Sequence, residues 1–299
     1  MAEDVLRVRD ISVRYGLTPR LAVDGVSLEL RRGELLGLVG ESGSGKTSTA
    51  MAILSLIRPP GQVTAGSVLL EGTDLLTLRG REMRRARWSS ISYIPQGAMN
   101  ALAPLMRVED QIIDVIRAHE GRVRRQQLRE RISELLATVE LPASVARMYP
   151  HELSGGMKQR VCIAMAIALG PKVIVADEPT SALDVVVQRA VAGTLADVQR
   201  RLGVAVLLIG HDMALQAQLA DRVGVMWQGR LVEIGPVRRI FHEPAHPYTQ
   251  LLLRSSPSLR ERHWRPPSEV AELRAHAQKL MDEDVLLRTV SDDHLAAVP

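Results

Sequence analysis

Hydrophobic residues fall into two textures along this chain. Ile11, Val13 and Tyr15 alternate with polar neighbours, as do Val26, Leu28 and Leu30, and a period of two predicts half-buried antiparallel strands near the amino end. Short unbroken apolar runs follow at residues 34–40, 173–176 and 204–209. Runs of that kind belong to strands covered on both faces by helices, so they predict a central, largely parallel sheet of an α/β fold.

Between the first two runs the period changes to that of a helix. Val108, Ile112, Val115 and Ile116 keep one face apolar, and Val123, Leu128, Ile132, Leu135 and Val139 do so on a longer, arginine-rich segment, which predicts a helical insert in the α/β core. Val187, Val191, Leu195 and Val198 mark a further amphipathic helix after Asp184. The runs at 223–227 and 231–234 are joined by Gln228 and Gly229, a hairpin signal. From about Pro236 the chain is punctuated by Pro244, Pro247, Pro257, Pro266 and Pro267. Val270, Leu273, Ala277 and Leu280 then recur at helical spacing, which predicts a loop-rich extension ending in one or two helices.

Composition narrows the class. With 299 residues, 46% of them hydrophobic and 24% charged, the chain can bury a core and is not a disordered polymer. Its single cysteine, Cys162, excludes a disulfide framework and any metal site held by several thiolates. The net charge is +4, and arginine dominates the cations, because only Lys46, Lys158, Lys172 and Lys279 are lysines. A surplus spread along the chain reads as solvated surface rather than a nucleic-acid footprint, and three Trp, four Tyr and one Phe are too few to stack successive bases. The cluster of Arg79, Arg81, Arg84, Arg85 and Arg87 reads as a solvated helical face. His242 and His246 stand four apart, but Pro244 between them breaks any shared helical face, which argues against a metal pair. Residues 1–10 contain no apolar signal segment, so the protein is expected to stay where it is made. The apolar stretches 161–170 and 202–210 fall short of the ~20 residues that cross a bilayer, so any membrane role is expected to be peripheral.

The chemistry lies in two motifs. Gly40, Glu41, Ser42, Gly43, Ser44, Gly45, Lys46 and Thr47 fit G-x-x-x-x-G-K-[ST], after an apolar strand and before a helix-compatible run at 48–56 that opens with Ser48. Glycines let backbone N–H groups wrap phosphates at a helix N-terminus, Lys46 reaches the terminal phosphates, and the Thr47 hydroxyl is placed for Mg²⁺. A flexible strand-to-helix turn would share the glycines but needs neither the lysine nor the flanking elements. Further along, the run 173–176 ends in Asp177 and Glu178, adjacent carboxylates at a strand's carboxyl edge. Asp177 suits Mg²⁺, and Glu178 suits a water attacking the γ-phosphate. Alone, such a pair reads as solvated loop carboxylates; beside the phosphate loop it reads as catalytic.

Leu153, Ser154, Gly155, Gly156 and Met157, followed by Lys158, Gln159 and Arg160, resemble the signature sequence of ATP-binding cassette (ABC) ATPases. Residues Ser181, Ala182, Leu183 and Asp184 resemble that family's D-loop, Gln96 its Q-loop, His211 its switch histidine, and Tyr15 the aromatic residue that stacks on adenine. The resemblance implies a P-loop NTPase (RecA-like) core with an antiparallel β subdomain and a helical insert carrying the signature. It implies a cassette over 1–235, with the helical subdomain at about 97–160, and an extension over 236–299. It further implies a head-to-tail dimer in which Ser154, Gly155 and Gly156 of one subunit meet the ATP held by the phosphate loop of the other, with Asp184 of the D-loop among the nucleotide-binding residues. Gln96 would then contact Mg²⁺ and water, and His211 the γ-phosphate. Asp184 also fits a plain helix N-cap, and the two roles coexist.

Residues 91–104 and 241–249 resemble the ATPase subunits of oligopeptide and dipeptide importers, a branch that includes importers of nickel and of oligosaccharides. Relatives in that branch often carry a cysteine cluster for an iron–sulfur centre in the tail, which this chain lacks. The implied partners are a second ABC ATPase subunit, identical or homologous, two transmembrane permease subunits at the cytoplasmic face of the cell membrane and, indirectly, an extracellular substrate-binding protein. A soluble cassette ATPase acting on ribosomes or DNA is the competing class. One phosphate loop and no sustained heptads favour the importer.

Overall fold

A computed structural model describes residues 3–181, 183–255 and 267–299, so Ala182, Pro257 and Pro266 lie outside the described residues. The strands, in chain order, are β1 (Asp4–Tyr15), β2 (Val23–Arg31), β3 (Leu35–Val39), β4 (Gly61–Leu70), β5 (Thr73–Asp74) and β6 (Ile91–Ile94). They continue with β7 (Val173–Asp177), β8 (Ala205–Ile209), β9 (Arg222–Trp227), β10 (Arg230–Pro236), β11 (Leu287–Ser291) and β12 (His294–Ala297). Among the described residues they form an antiparallel sheet in the order β2-β1-β4-β5 and an eight-stranded mixed sheet in the order β11-β12-β10-β9-β3-β8-β7-β6.

Every residue of β3, β7 and β8 is buried, as the unbroken apolar runs require. Alternation divides their side chains between two cores. Ile174, Ala176, Val206 and Leu208 pack with the helices Val108–Glu120, Arg125–Thr138 and Gly155–Ile167. Val173, Val175, Leu207 and Ile209 face the other way and pack with Leu6, Val8, Leu28 and Leu30 of the antiparallel sheet. The expected helical insert and amino-terminal strands are thus opposite covers of the parallel part of one mixed sheet. The hairpin at Gln228 and Gly229 also forms: both residues have positive φ, 49° and 89°, and Trp227 pairs with Arg230, a two-residue I′ turn.

Three expectations change, and one strand was not foreseen. The helix after the phosphate loop runs Lys46–Ile53 rather than 48–56, and ends where Ser55 takes a φ of 51°. Strand β4 carries no regular alternation in its sequence; Gly66 at φ 93° sits against the carbonyls of Arg9 and Asp10, where the pairing with β1 slips register. The arginine-rich helix Gly80–Ser89 breaks at Arg87 and Trp88, so Arg87 turns inward and donates to the Ser55 carbonyl at 3.1 Å, while Arg79, Arg81, Arg84 and Arg85 stay exposed. Finally, the extension continues past the helix Pro267–Asp282 into β11 and β12. There Ala296 and Leu295 pair antiparallel with Glu233 and Ile234, so the chain closes on the large sheet instead of in a helix. No helix among the described residues is long and apolar enough to cross a membrane.

Candidate active site

The phosphate loop leaves β3 at the carboxyl edge of the large sheet. Its bend is dictated by space as well as by φ: at Gly40 (φ 153°) a Cβ would meet the Met226 carbonyl oxygen at 2.2 Å, and at Gly45 (φ 101°) the Ala22 carbonyl oxygen at 2.5 Å. Lys46 opens the following helix and is buried with its side chain folded back into the loop. Its Nζ donates to the carbonyls of Gly40 and Glu41, both at 2.8 Å, and to Ser44 Oγ at 3.3 Å. Burial lowers the Lys46 pKa, opposed by the charges of Glu178, Asp177 and Glu41. An ammonium in that position gains from any anion that brings oxygens to the loop.

Asp177 ends β7 with no exposed surface. Its Oδ1 accepts from Thr47 Oγ1 at 3.2 Å and its Oδ2 from the Tyr93 hydroxyl at 3.4 Å. Burial raises its pKa, Thr47 lowers it, and Glu178 raises it again. A hydroxyl and a carboxylate brought together in this way are hard oxygen donors of the kind Mg²⁺ takes, and a divalent ion would relieve the carboxylate's desolvation. The donor set therefore fits the metal that the sequence implies.

Glu178 follows with φ 45°, a left-handed conformation that costs a non-glycine residue free energy and is held by its N–H donating to the Ile209 carbonyl at 3.0 Å. The strained backbone turns its carboxylate to one side of the Asp177 site. Gln96 Nε2 donates to Glu178 Oε2 at 2.9 Å, and His211 Nδ1 lies 3.5 Å from Oε1. Two segments far from Glu178 in sequence thus converge on its carboxylate. The His211 side chain is 70% exposed and the Glu178 side chain 20%, so the cluster opens to solvent on the histidine side. Tyr15, half-exposed at the end of β1, accepts from Ser48 Oγ at 3.4 Å and lies against Gly61. An aromatic face is thereby set beside the phosphate-loop helix. Glu41, Ser42 and Gly43 form the exposed rim of the loop, and Ser44 is buried beneath it.

The signature residues stand apart. Ser154 N-caps the helix Gly155–Ile167 by accepting from Met157 N–H at 3.3 Å, and Gly155 and Gly156 abut Leu183 and Val187. Asp184 caps the helix Val185–Leu202, accepting from Val186 and Val187 N–H at 3.1 and 3.0 Å. Ser154 and Asp184 are exposed, and no hydrogen bond or ion pair among the described residues joins Ser154, Gly155, Gly156 or Asp184 to the phosphate loop.

Two residues had no assigned role in the sequence reading. Tyr93 sits in a four-residue strand whose alternation is too short to assign, yet it supplies the second hydrogen bond to Asp177. Tyr248 belongs to the extension and reaches Glu41; its only signal was membership of the stretch 241–249.

Residues 23–181 match the ABC transporter family, and residues 232–279 match the oligopeptide/dipeptide transporter C-terminal region. The dipeptide transport ATP-binding protein DppD of Haemophilus influenzae is 46% identical over 261 residues, spanning 86% of this chain and 79% of its own. The oligopeptide transport ATP-binding protein OppD of Bacillus subtilis is 44% identical, spanning 85% of this chain and 72% of its own. Among solved structures, an ATP-binding cassette captured as a dimer in a post-hydrolysis state with ADP and Pi superposes with a TM-score of 0.68 at 27% identity, covering 78% of this chain and 99% of that one. With a phosphate loop, a buried aspartate and a glutamate gathered at one sheet edge, the chain belongs to the ABC transporter family, as an ATPase whose relatives are dipeptide and oligopeptide transport ATP-binding proteins.

Proposed function

We propose that this chain is the energy-coupling subunit of an importer for oligopeptides or dipeptides, acting as a peripheral subunit at the cytoplasmic face of the cell membrane. The peptide cargo is supported by the relatives' names and by the match of the extension at 232–279. We assign 1–235 to the cassette, with about 97–160 as its helical subdomain, and 236–299 to the extension.

In this reading the loop from Gly40 to Ser48 receives the phosphates of ATP and Tyr15 stacks on the adenine. Thr47, Asp177 and Gln96 would hold Mg²⁺, which would supply charge neutralisation for the phosphates. Lys46 moves from its carbonyl acceptors to the terminal phosphates. Glu178 orients the attacking water and accepts its proton, Gln96 and His211 position that carboxylate, and His211 also contacts the γ-phosphate. Ser154, Gly155, Gly156 and Asp184 serve the site of a second ABC ATPase subunit, identical or homologous. The positive end of the signature helix then completes the charge stabilisation around the γ-phosphate. Closure of that dimer drives two transmembrane permease subunits, which receive cargo from an extracellular binding protein. An apolar groove of about 350 Å³, lined by Trp88, Pro95, Ala98, Leu102 and Met165, runs beside the Gln96 segment and supports contact with such a partner.

The observation that carries this reading is the convergence of Gln96 and His211 on Glu178 beside the Thr47–Asp177 pair. The test is recovery from the native cell. Co-purification with polytopic membrane subunits is expected, and salt-sensitive recovery with ribosomes or DNA overturns the importer reading.

A further inference from the structure

The peptide unit between Gly40 and Glu41 is held from both sides. Its carbonyl accepts from Lys46 Nζ at 2.8 Å, and its N–H donates to the phenol oxygen of Tyr248 at 3.1 Å. Tyr248 comes from the far end of the chain and is 1% exposed. Its ring stacks on Trp227, with centroids 5.0 Å apart and planes 15° from parallel. Its own N–H donates to His246 Nδ1 at 3.1 Å. Beneath it the fully buried Glu233 accepts from the N–H groups of Ala245 and His246 at 2.8 and 3.0 Å, and lies 2.7 Å from His294 Nε2. Burial pushes the Tyr248 phenol up to about 12, so it stays a neutral hydroxyl. The extension therefore brings a rigidly mounted oxygen to the mouth of the phosphate loop.

All three N–H donors of Lys46 are used inside the loop, on the Gly40 and Glu41 carbonyls and Ser44 Oγ, so contact with ATP must release at least one of them. Any weakening of the Gly40 bond leaves the Tyr248 phenol as the remaining hold on that peptide, and a glycine on one side of it offers little resistance to rotation. A flipped peptide would turn a carbonyl dipole toward the anion. We propose that Tyr248 is a positioning residue for nucleotide binding, whose phenol oxygen keeps the Gly40–Glu41 peptide in place while Lys46 transfers from the loop to ATP. This rests on the role given to Lys46 above.

Tyr248→Phe keeps the ring and its stack and deletes only the oxygen. In the full chain it is expected to weaken magnesium-ATP binding about three- to tenfold, the worth of one neutral hydrogen bond. KM for ATP should rise in step, while kcat at saturating ATP changes by less than about twofold. A loss of melting temperature with unchanged KM and affinity overturns the proposal, since that is the signature of a merely structural residue. Lys46→Ala separates the two levels. If it leaves affinity unchanged, the reading of the loop fails; if it weakens binding and Tyr248→Phe does not, only the proposal fails. Hydrogen exchange decides the matter without a variant, because the Glu41 amide should stay protected when magnesium-ATP is bound. Exchange at the rate of an open loop overturns the proposal even if Tyr248→Phe does not fold.

Discussion

The phosphate loop and the signature segment are built from the same parts and finished to different degrees. Each is a turn bearing glycines that opens a helix, Lys46–Ile53 in one case and Gly155–Ile167 in the other. In the first, the lysine is buried, the carbonyls are occupied and an aspartate is already bonded to the adjoining threonine. In the second, an exposed serine caps its own helix and no other hydrogen bond among the described residues reaches its side chain. Nearly every electrostatic element of the first region is preorganised by this chain alone, whereas the second presents a positive helix end to whatever approaches. Under the proposed function the two regions meet across subunits, and the contrast then predicts that hydrolysis depends on their assembly rather than on the local folding of either.

Variants can break that contrast. Glu178→Gln should lower turnover by roughly 10²–10⁴-fold while leaving ATP binding intact and trapping a closed dimer, as read by ATPase assay and size-exclusion chromatography; normal hydrolysis would remove Glu178 from its role. Ser154→Arg should cost about 10²–10³-fold in hydrolysis, but at the phosphate loop of the opposing subunit. Mixing it with a Lys46-defective chain is the check, and a defect confined to the mutated chain's own phosphate loop ends the two-subunit account. Lys46→Ala should weaken ATP affinity by about 10–100-fold in equilibrium titration, the loss of charge-assisted bonds to phosphate. The smallest effect concerns the mounting of Tyr248. Burial depresses the pKa of His246 to about 4, against about 6.5 in an unfolded chain. The unfolded state therefore takes up the proton first, and stability falls as pH drops below 6.5, with roughly 0.7 kcal/mol lost between pH 7 and pH 6. His246→Asn, whose Oδ1 can replace Nδ1 as acceptor for the Tyr248 N–H, should flatten that part of a melting-temperature-against-pH curve. An unchanged slope would mean that His246 is not the group responsible.

Much of this architecture was legible because burial on both faces leaves an unmistakable trace. Residues 173–176 and 204–209 are apolar throughout since each alternate side chain enters a different core. The loop from Gly40 to Thr47 was legible for a related reason: Gly40 and Gly45 answer to close backbone contacts that a Cβ would not survive, and Gly43 to a φ of 78°. Strands β11 and β12 were not legible. Ala296 and Ala297 prefer helix in isolation, and only pairing with β10 and burial against the sheet make them a strand. Tyr248 was seen but not understood for the same kind of cause: its role depends on a contact with Glu41 across 207 residues, which no local pattern encodes.

The buried Glu233 has a practical consequence for anyone wishing to exchange parts between relatives. The match to the transporter C-terminal region begins at residue 232, within β10. A graft made a little later, between 234 and 244, or a fragment ended at 235, would keep the carboxylate but replace or delete Ala245, His246 and His294, which face it. Stranding a buried carboxylate costs about 3–5 kcal/mol. Chimeras of these ATPases should therefore transfer residues 245, 246 and 294 as a set with residue 233, and the viable crossover is one chosen by electrostatic partnership, wherever the similarity of sequences changes.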